Sequence, residues 1–173
     1  MVRVAEEADI PHLVAAFPEK PGTPGNRHIK YFGWQRSGEL SFLVAWDDCI
    51  PIGYVLVRWP GGRCDRTYQA GELGCAEIGD LTVSEDARGK GFGRLLMESA
   101  ENLVRNRGVK LVGLEVTAHN PSQDVARELY RRLGYQDAGY GEFLSGYTYY
   151  DADGQPQRDE ELYVYLTKDT ADG

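Results

Sequence analysis

Cysteine is scarce in this sequence. The three thiols, Cys49, Cys64 and Cys75, share no metal-ligand or redox spacing, and their odd number argues against a disulfide framework. Histidine is equally scarce, and because His12, His28 and His119 do not cluster, no metal site is expected. No apolar run approaches the ~20 residues that a membrane span needs. The opening MVRVAEEAD also lacks the basic-then-apolar layout of a signal peptide. Reduced thiols, no membrane and a cytoplasmic location are the expectations. Positive charge is in deficit, with 19 Lys and Arg against 27 Asp and Glu. The formal net charge of -8 argues against nucleic acid or an anionic membrane as partner, and suits a cationic small molecule or basic peptide. Internal repeats, low-complexity segments and a domain linker are all absent. What remains is ordinary: 42% hydrophobic and 27% charged residues over 173 positions, read as one domain spanning 1–173 with enough chain to close a core.

Against this acidic background one basic, glycine-rich island stands out, Arg88-Gly-Lys-Gly-Phe-Gly93. Gly89, Gly91 and Gly93 leave successive backbone N–H groups without bulky side chains over them, which is what a loop needs to wrap a phosphate. The amphipathic segment that follows, with Phe92, Leu95, Leu96, Leu103 and Val104 at helical spacing, aims a helix N-terminus at the same spot. Arg88 and Lys90 add two cations, so the chemistry asks for a di- or triphosphate-like anion. The P-loop pattern fails because Lys90 is followed by Gly91 and not by Ser or Thr. The dinucleotide fingerprint fails because the third glycine comes one residue too soon. Gly93, in the first helical turn, costs on the order of 1 kcal/mol against Ala. Close approach of a ligand to the backbone explains it better than helix formation does.

Along the chain, Val2 to Ala5 reads as a short strand, and Asp9 as the N-cap of a first helix with an apolar face of Leu13, Val14, Ala16 and Phe17. Three prolines and two glycines between residues 17 and 25 make a loop. His28 to Glu39 is a second helix carrying Tyr31, Phe32 and Trp34. SFLVAW and IGYVLVRW form an antiparallel hairpin, and the turn-rich stretch from Pro60 to about Gly74 is a lid candidate or a plain insertion. Cys75 to Val83 is the central strand. Its period of two puts Glu77, Gly79, Leu81 and Val83 on one face and Ile78, Asp80 and Thr82 on the other. Leu111 to Thr117 is the next strand, followed by a helix with Val125, Leu129 and Leu133 along one face and Gly134 at its end. Tyr135 to Tyr150 and Glu161 to Lys168 make a closing hairpin about Asp151-Ala-Asp-Gly154. Helices between strands in the middle and hairpins at both ends give an α/β domain with a mixed sheet.

The pattern R-x-x-G-x-G, met by Arg88, Gly91 and Gly93, resembles the pyrophosphate loop of the GNAT acyltransferase superfamily. The likeness extends through CAEIGDLTV, LVGLEVTAHN and ARELYRRLGY, three motifs in the family's order. It implies a mainly antiparallel central sheet flanked by helices and splayed between the fourth and fifth strands. It also implies acetyl-CoA as acyl donor, with its pantetheine along Leu81, Thr82 and Val83 and near Asn120. The pyrophosphate would sit against Arg88, Gly89, Lys90, Gly91, Phe92 and Gly93.

The same resemblance makes Tyr130 the acid that protonates the leaving thiolate. It makes Glu77 or Glu115 the base, with Glu77 taken first and a water chain to either as an alternative. Read without the family, Tyr130 is a packed helix aromatic, the two glutamates are solvated strand residues and Asn120 is a helix cap. The implied reaction is acetyl transfer to a primary amine of a small molecule, a metabolite or an amino-bearing antibiotic. A protein N-terminus or lysine is the alternative acceptor, and a non-catalytic acyl-CoA-binding module the alternative of another class. Dimers in the family make the terminal hairpin a candidate surface for a homodimer.

Overall fold

The computed structural model describes residues 1–19, 23, 25–62, 67–151 and 153–172. Among them the chain runs β1 (Val2–Val4), α1 (Ile10–Ala16), α2 (Arg27–Arg36), β2 (Leu40–Asp47), β3 (Ile50–Arg58), α3 (Tyr68–Leu73) and β4 (Ala76–Val83). It continues with α4 (Phe92–Asn106), β5 (Leu111–Thr117), α5 (Asp124–Arg132), β6 (Gln136–Asp137), β7 (Phe143–Tyr150) and β8 (Pro156–Asp169). The strands form one sheet in the order β1-β2-β3-β4-β5-β8-β6, with β7 paired along β8. Every pairing is antiparallel except β4 with β5.

The alternation of side chains along β2 and β3 explains the layering. Leu43, Ala45, Val55 and Val57 face α4, where they meet Leu96, Met97, Ala100 and Val104. Their neighbours Phe42, Val44, Tyr54 and Leu56 face α1 and α2, where Leu13 is buried and Ile10, Phe17, Tyr31 and Trp34 pack at the margin. Both strands are thus buried on two sides, which is why they read as near-continuous apolar runs. A full Leu or Phe side chain removed from water contributes roughly 1.5–3 kcal/mol, so these two faces hold the helices in place. Of the aromatic residues of α2, Tyr31 and Trp34 pack half-buried against that second layer, whereas Phe32, also half-buried, is not part of it.

The fork that organises the molecule lies between β4 and β5. The two strands are registered only at Ala76↔Val112 and Glu77↔Gly113, and beyond that rung they splay. The facing edges of residues 78–83 and 114–117 therefore carry backbone groups that the sheet does not pair.

Several local expectations differ from what is found. Asp9 stands at the N-cap position of α1, as expected, but its side chain does not cap that helix. Its carboxylate accepts from the Glu6 N–H at 2.8 Å and from both guanidinium arms of Arg3, closing a capping box one turn earlier. The segment after Pro60 contains a helix, α3, begun by Thr67, whose hydroxyl accepts from Ala70 N–H at 3.1 Å. The first half of that lid candidate, residues 63–66 with Cys64, lies outside the described residues, as do 20–22 and 24 of the proline-rich loop. Leu95 is 39% exposed and Val125 84% exposed, so Met97 and Ala100 complete the apolar face of α4, and Ala126 that of α5.

The strict alternation of β4 fails as well. Leu56 pairs with Gly79 but Tyr54 with Thr82, so two residues of β4 oppose one of β3. Asp80 takes φ 54 at this β-bulge. Leu81 and Val83 are thereby turned to the α4 side with Ile78, opposite to Glu77.

Candidate active site

A cavity of about 290 Å³ opens in the fork, lined by Arg58, Glu77, Gly79, Asp80, Leu81, Glu115, Thr117, Gln123, Tyr130 and Tyr163 among others. Glu77, Glu115, Tyr130 and Leu81, all singled out from the sequence, meet there. Thr82, Val83 and Arg88 line a second groove of about 300 Å³, walled by Phe17 and Pro18 after α1, Arg27 of α2 and Tyr54 of β3. β4 runs from one to the other, so a long ligand laid along it would reach both.

Glu77 stands on the last registered rung and is only 3% exposed. One oxygen accepts from the Thr67 N–H at 3.1 Å, from the Thr67 hydroxyl and from the Tyr165 hydroxyl at 3.4 Å. The other lies 3.8 Å from a guanidinium nitrogen of Arg58. Two glycines make this arrangement fit. A Cβ on Gly79 would stand 2.0 Å from Arg58 Nη1, and one on Gly113 would stand 2.5 Å from Tyr165 Oη. β3, α3 and β8 thus each lend a side chain to one carboxylate, and that carboxylate ties the sheet together where it divides.

Glu115 sits on β5, across the cavity from β4, in a different environment. Its Oε2 is buried and has no hydrogen-bond partner among the described residues. Burial raises its carboxyl above the ordinary range, Glu77 and Asp80 add to the rise, and a hydrogen bond with Ser145 and the charge of Arg58 oppose it. A carboxylate with a raised pKa and a lone pair to spare has what a general base needs near neutral pH. Tyr130 is 9% exposed, and burial alone pushes its hydroxyl up to about 12, so it keeps its proton at any ordinary working pH.

The glycine-rich loop has the form an anion requires. Gly89 and Gly91 adopt φ 72 and φ 86, where an L side chain is strained, and a Cβ at either would meet nothing within 4 Å. Gly91 is the N-cap of the 15-residue α4, and among the described residues no side chain caps that end, which leaves its first-turn N–H groups for a ligand or water. Gly93 has no positive φ, and a Cβ there would touch Leu129 Cδ2 at an ordinary 3.6 Å. Nothing among the described residues requires that glycine. Arg88 is held loosely, by Val83 O at 3.3 Å and Glu85 at 4.0 Å, and Lys90 is exposed. Phe92 is half-buried against the main core.

Asn120 is engaged at both ends of its amide: its oxygen accepts from Ser122 N–H at 3.0 Å, and its nitrogen donates to Glu161 at 2.9 Å. It caps the 3-10 turn Pro121–Gln123 and pins it to β8, the capping arrangement that its place before Pro121 suggests.

Sequence reasoning missed Arg58, Asp80, Thr67 and Tyr165. Arg58, Thr67 and Tyr165 matter only through contacts across the sheet, which no local pattern announces. The bulge at Asp80 did leave a sign, a glycine inside a strand followed by a residue that tolerates φ > 0.

Two curated relatives give this geometry a context. The chain is 30% identical over 129 residues to the streptothricin acetyltransferase of Streptomyces lavendulae, covering 75% of this chain and 60% of that protein. It is 31% identical over 108 residues to an uncharacterized N-acetyltransferase of Methanocaldococcus jannaschii, covering 62% of this chain and 44% of that protein. The matched region therefore spans less than two thirds of the length of either. Among solved structures, the ribosomal-protein-alanine N-acetyltransferase of Brucella melitensis has the same fold, with a TM-score of 0.65 at 22% identity over 98% of this chain and 99% of that one. The family model described as the acetyltransferase (GNAT) family matches residues 8–135. A strand pair that parts after two rungs, beside a glycine-rich loop at a helix start, is the form that the resemblance called for, and the chain belongs to the GNAT acetyltransferase family.

Proposed function

We propose that this chain is an N-acetyltransferase that moves the acetyl group of acetyl-CoA directly to a primary amine of a small molecule. The observation that carries this reading is the fork cavity, where a carboxylate with an unclaimed oxygen, Glu115, shares about 290 Å³ with the buried hydroxyl of Tyr130. Acetyl-CoA, the acyl donor of the family, supplies an acetyl group already activated as a thioester.

The chain's own residues do the rest. The loop Arg88–Gly93 and the start of α4 hold the diphosphate, and Leu81, Thr82 and Val83 offer their unpaired strand edge to the pantetheine amides. The amide of Asn120, already committed to Ser122 and Glu161, shapes the rim beside that arm. Glu115 takes the proton from the acceptor ammonium as its nitrogen approaches the carbonyl. Tyr130, with its hydroxyl raised to about 12, keeps its proton and offers it as a hydrogen bond to the departing sulfur. Because an ordinary thiol titrates near ~8.5, this is stabilisation of the thiolate and not full protonation. Glu77, with both oxygens engaged, supports the fork, so the preference between the two glutamates passes to Glu115.

Two observations favour a small acceptor: the 30% identity with an acetyltransferase named for streptothricin, and the modest volume of the cavity. The test is thiol release from acetyl-CoA across polyamines, amino acids, amino-bearing antibiotics and short peptides, with products identified by mass. Turnover confined to small amines is expected. Turnover on peptides alone would move the assignment to a protein amine. A melting-temperature rise with acetyl-CoA and no turnover on any class would favour a binding module.

A further inference from the structure

Arg58 ends β3 and is the cross-strand partner of Glu77. Its side chain is 12% exposed, and its Nε is buried with no partner among the described residues. One guanidinium nitrogen bonds Asp80 and another lies 3.8 Å from Glu77 Oε1. The guanidinium rests over Gly79, so Arg58 can hold this pose only while that position lacks a Cβ. Three carboxylates line the fork cavity, Glu77, Asp80 and Glu115, and Arg58 is the one cation among the described residues lining it.

We propose that Arg58 is a positioning residue of the transfer reaction: one arm fixes the bulge at Asp80, the other braces Glu77, and its charge keeps Glu115 free to accept a proton. The proposal rests on the reading of Glu115 as the base. The groups that bear on Glu115 or surround it come from five elements. Glu77 and Asp80 on β4 raise its proton affinity, and Arg58 on β3 and Ser145 on β7 lower it. Tyr165, its cross-strand partner on β8, and Tyr163 and Tyr130 complete the surroundings. Without the guanidinium, two negative charges bear on Glu115 with no cation to oppose them. Glu115 then holds its proton to higher pH, and since only its ionised form accepts a proton, the acid limb of the rate profile moves up with it.

The experiment follows the Glu115 side-chain carboxyl by carbon-13 NMR in the ligand-free protein, with Glu115→Gln assigning the signal, alongside the pH dependence of kcat/KM. Arg58→Met is expected to shift the Glu115 midpoint and the acid limb to higher pH together. Arg58→Lys restores the midpoint, because it restores the charge, but lowers kcat, because one ammonium cannot span both carboxylates. Gly79→Ala, which displaces the guanidinium without removing it, shifts the midpoint in the same direction as Arg58→Met. An unmoved midpoint in Arg58→Met, or in Gly79→Ala should Arg58→Met fail to fold, overturns the proposal. Loss of the acid limb in Glu115→Gln upholds the base on which it rests. A limb that persists there overturns that base, while the NMR midpoints still report on Arg58.

Discussion

Two glutamates on neighbouring strands have opposite characters because of what surrounds them. Glu77 is braced by Thr67, Tyr165 and Arg58, whereas Glu115 keeps a buried oxygen unclaimed among the described residues. Glu77→Gln removes the charge that Arg58 faces while leaving its pair with Asp80, and should destabilise the fold by about 1–2 kcal/mol. Glu115→Gln removes a charge whose burial is unfavourable, so its stability should stay near that of the parent. Denaturant unfolding of the two variants checks the contrast, and equal losses would contradict it. Tyr130→Phe should lower kcat by about 10²-fold, the low end of what a positioned proton donor contributes, with acetyl-CoA affinity by calorimetry unchanged. Unaltered kcat would mean that the sulfur leaves without help from this hydroxyl. Local motifs drew attention to Glu77, Glu115 and Tyr130, and the structure brings these three to one cavity. The different surroundings of the two glutamates were not legible, because the partners of Glu77 come from β3, α3 and β8, and a period of two in β4 says nothing about them.

At the scale of elements, legibility followed sequence separation. The glycine-rich turn and α4 are built from consecutive residues, and the sequence reading of a loop followed by a helix matches the structure, with Leu95 the one face residue that turns out exposed. Gly91→Ala places a Cβ at φ 86 and should cost about 1–2 kcal/mol of stability. It should also weaken acetyl-CoA binding, because relaxing that strain tilts the first-turn N–H groups. Calorimetry of folded protein separates the two effects, and full affinity would detach the loop from the diphosphate. β4 was read correctly as an element and wrongly as a regular one. Its bulge turns Leu81 and Val83 to the α4 side, and so the fork presents Glu77 and Leu81 to different sides of the sheet. The exposed Val125 has a similar lesson: helical spacing identifies which residues share a face, but not how far along that face the neighbouring layer extends.

For the molecule as a whole, under the proposed function the formal charge of -8 and the basic loop would act on different ligands. The acidic body would favour an amine in its ammonium form, and the loop would gather local positive potential for an anion that the body would repel. The layered architecture was legible because hairpins and a crossover helix leave few topologies open. The splay between β4 and β5 was expected only by family resemblance, since both strands carry ordinary strand patterns. Its mechanical meaning is that the sheet is two plates joined by a two-rung seam, β1 to β4 on one side and β5 with β8, β6 and β7 on the other. An extended donor threaded along that seam would act as the missing strand, stitching the plates before chemistry begins. Amide hydrogen exchange at residues 78–83 and 114–117 should therefore slow on acetyl-CoA addition more than at β2. The protein would then be most rigid when loaded, and under the proposed function each turnover would end by unpicking part of its own sheet.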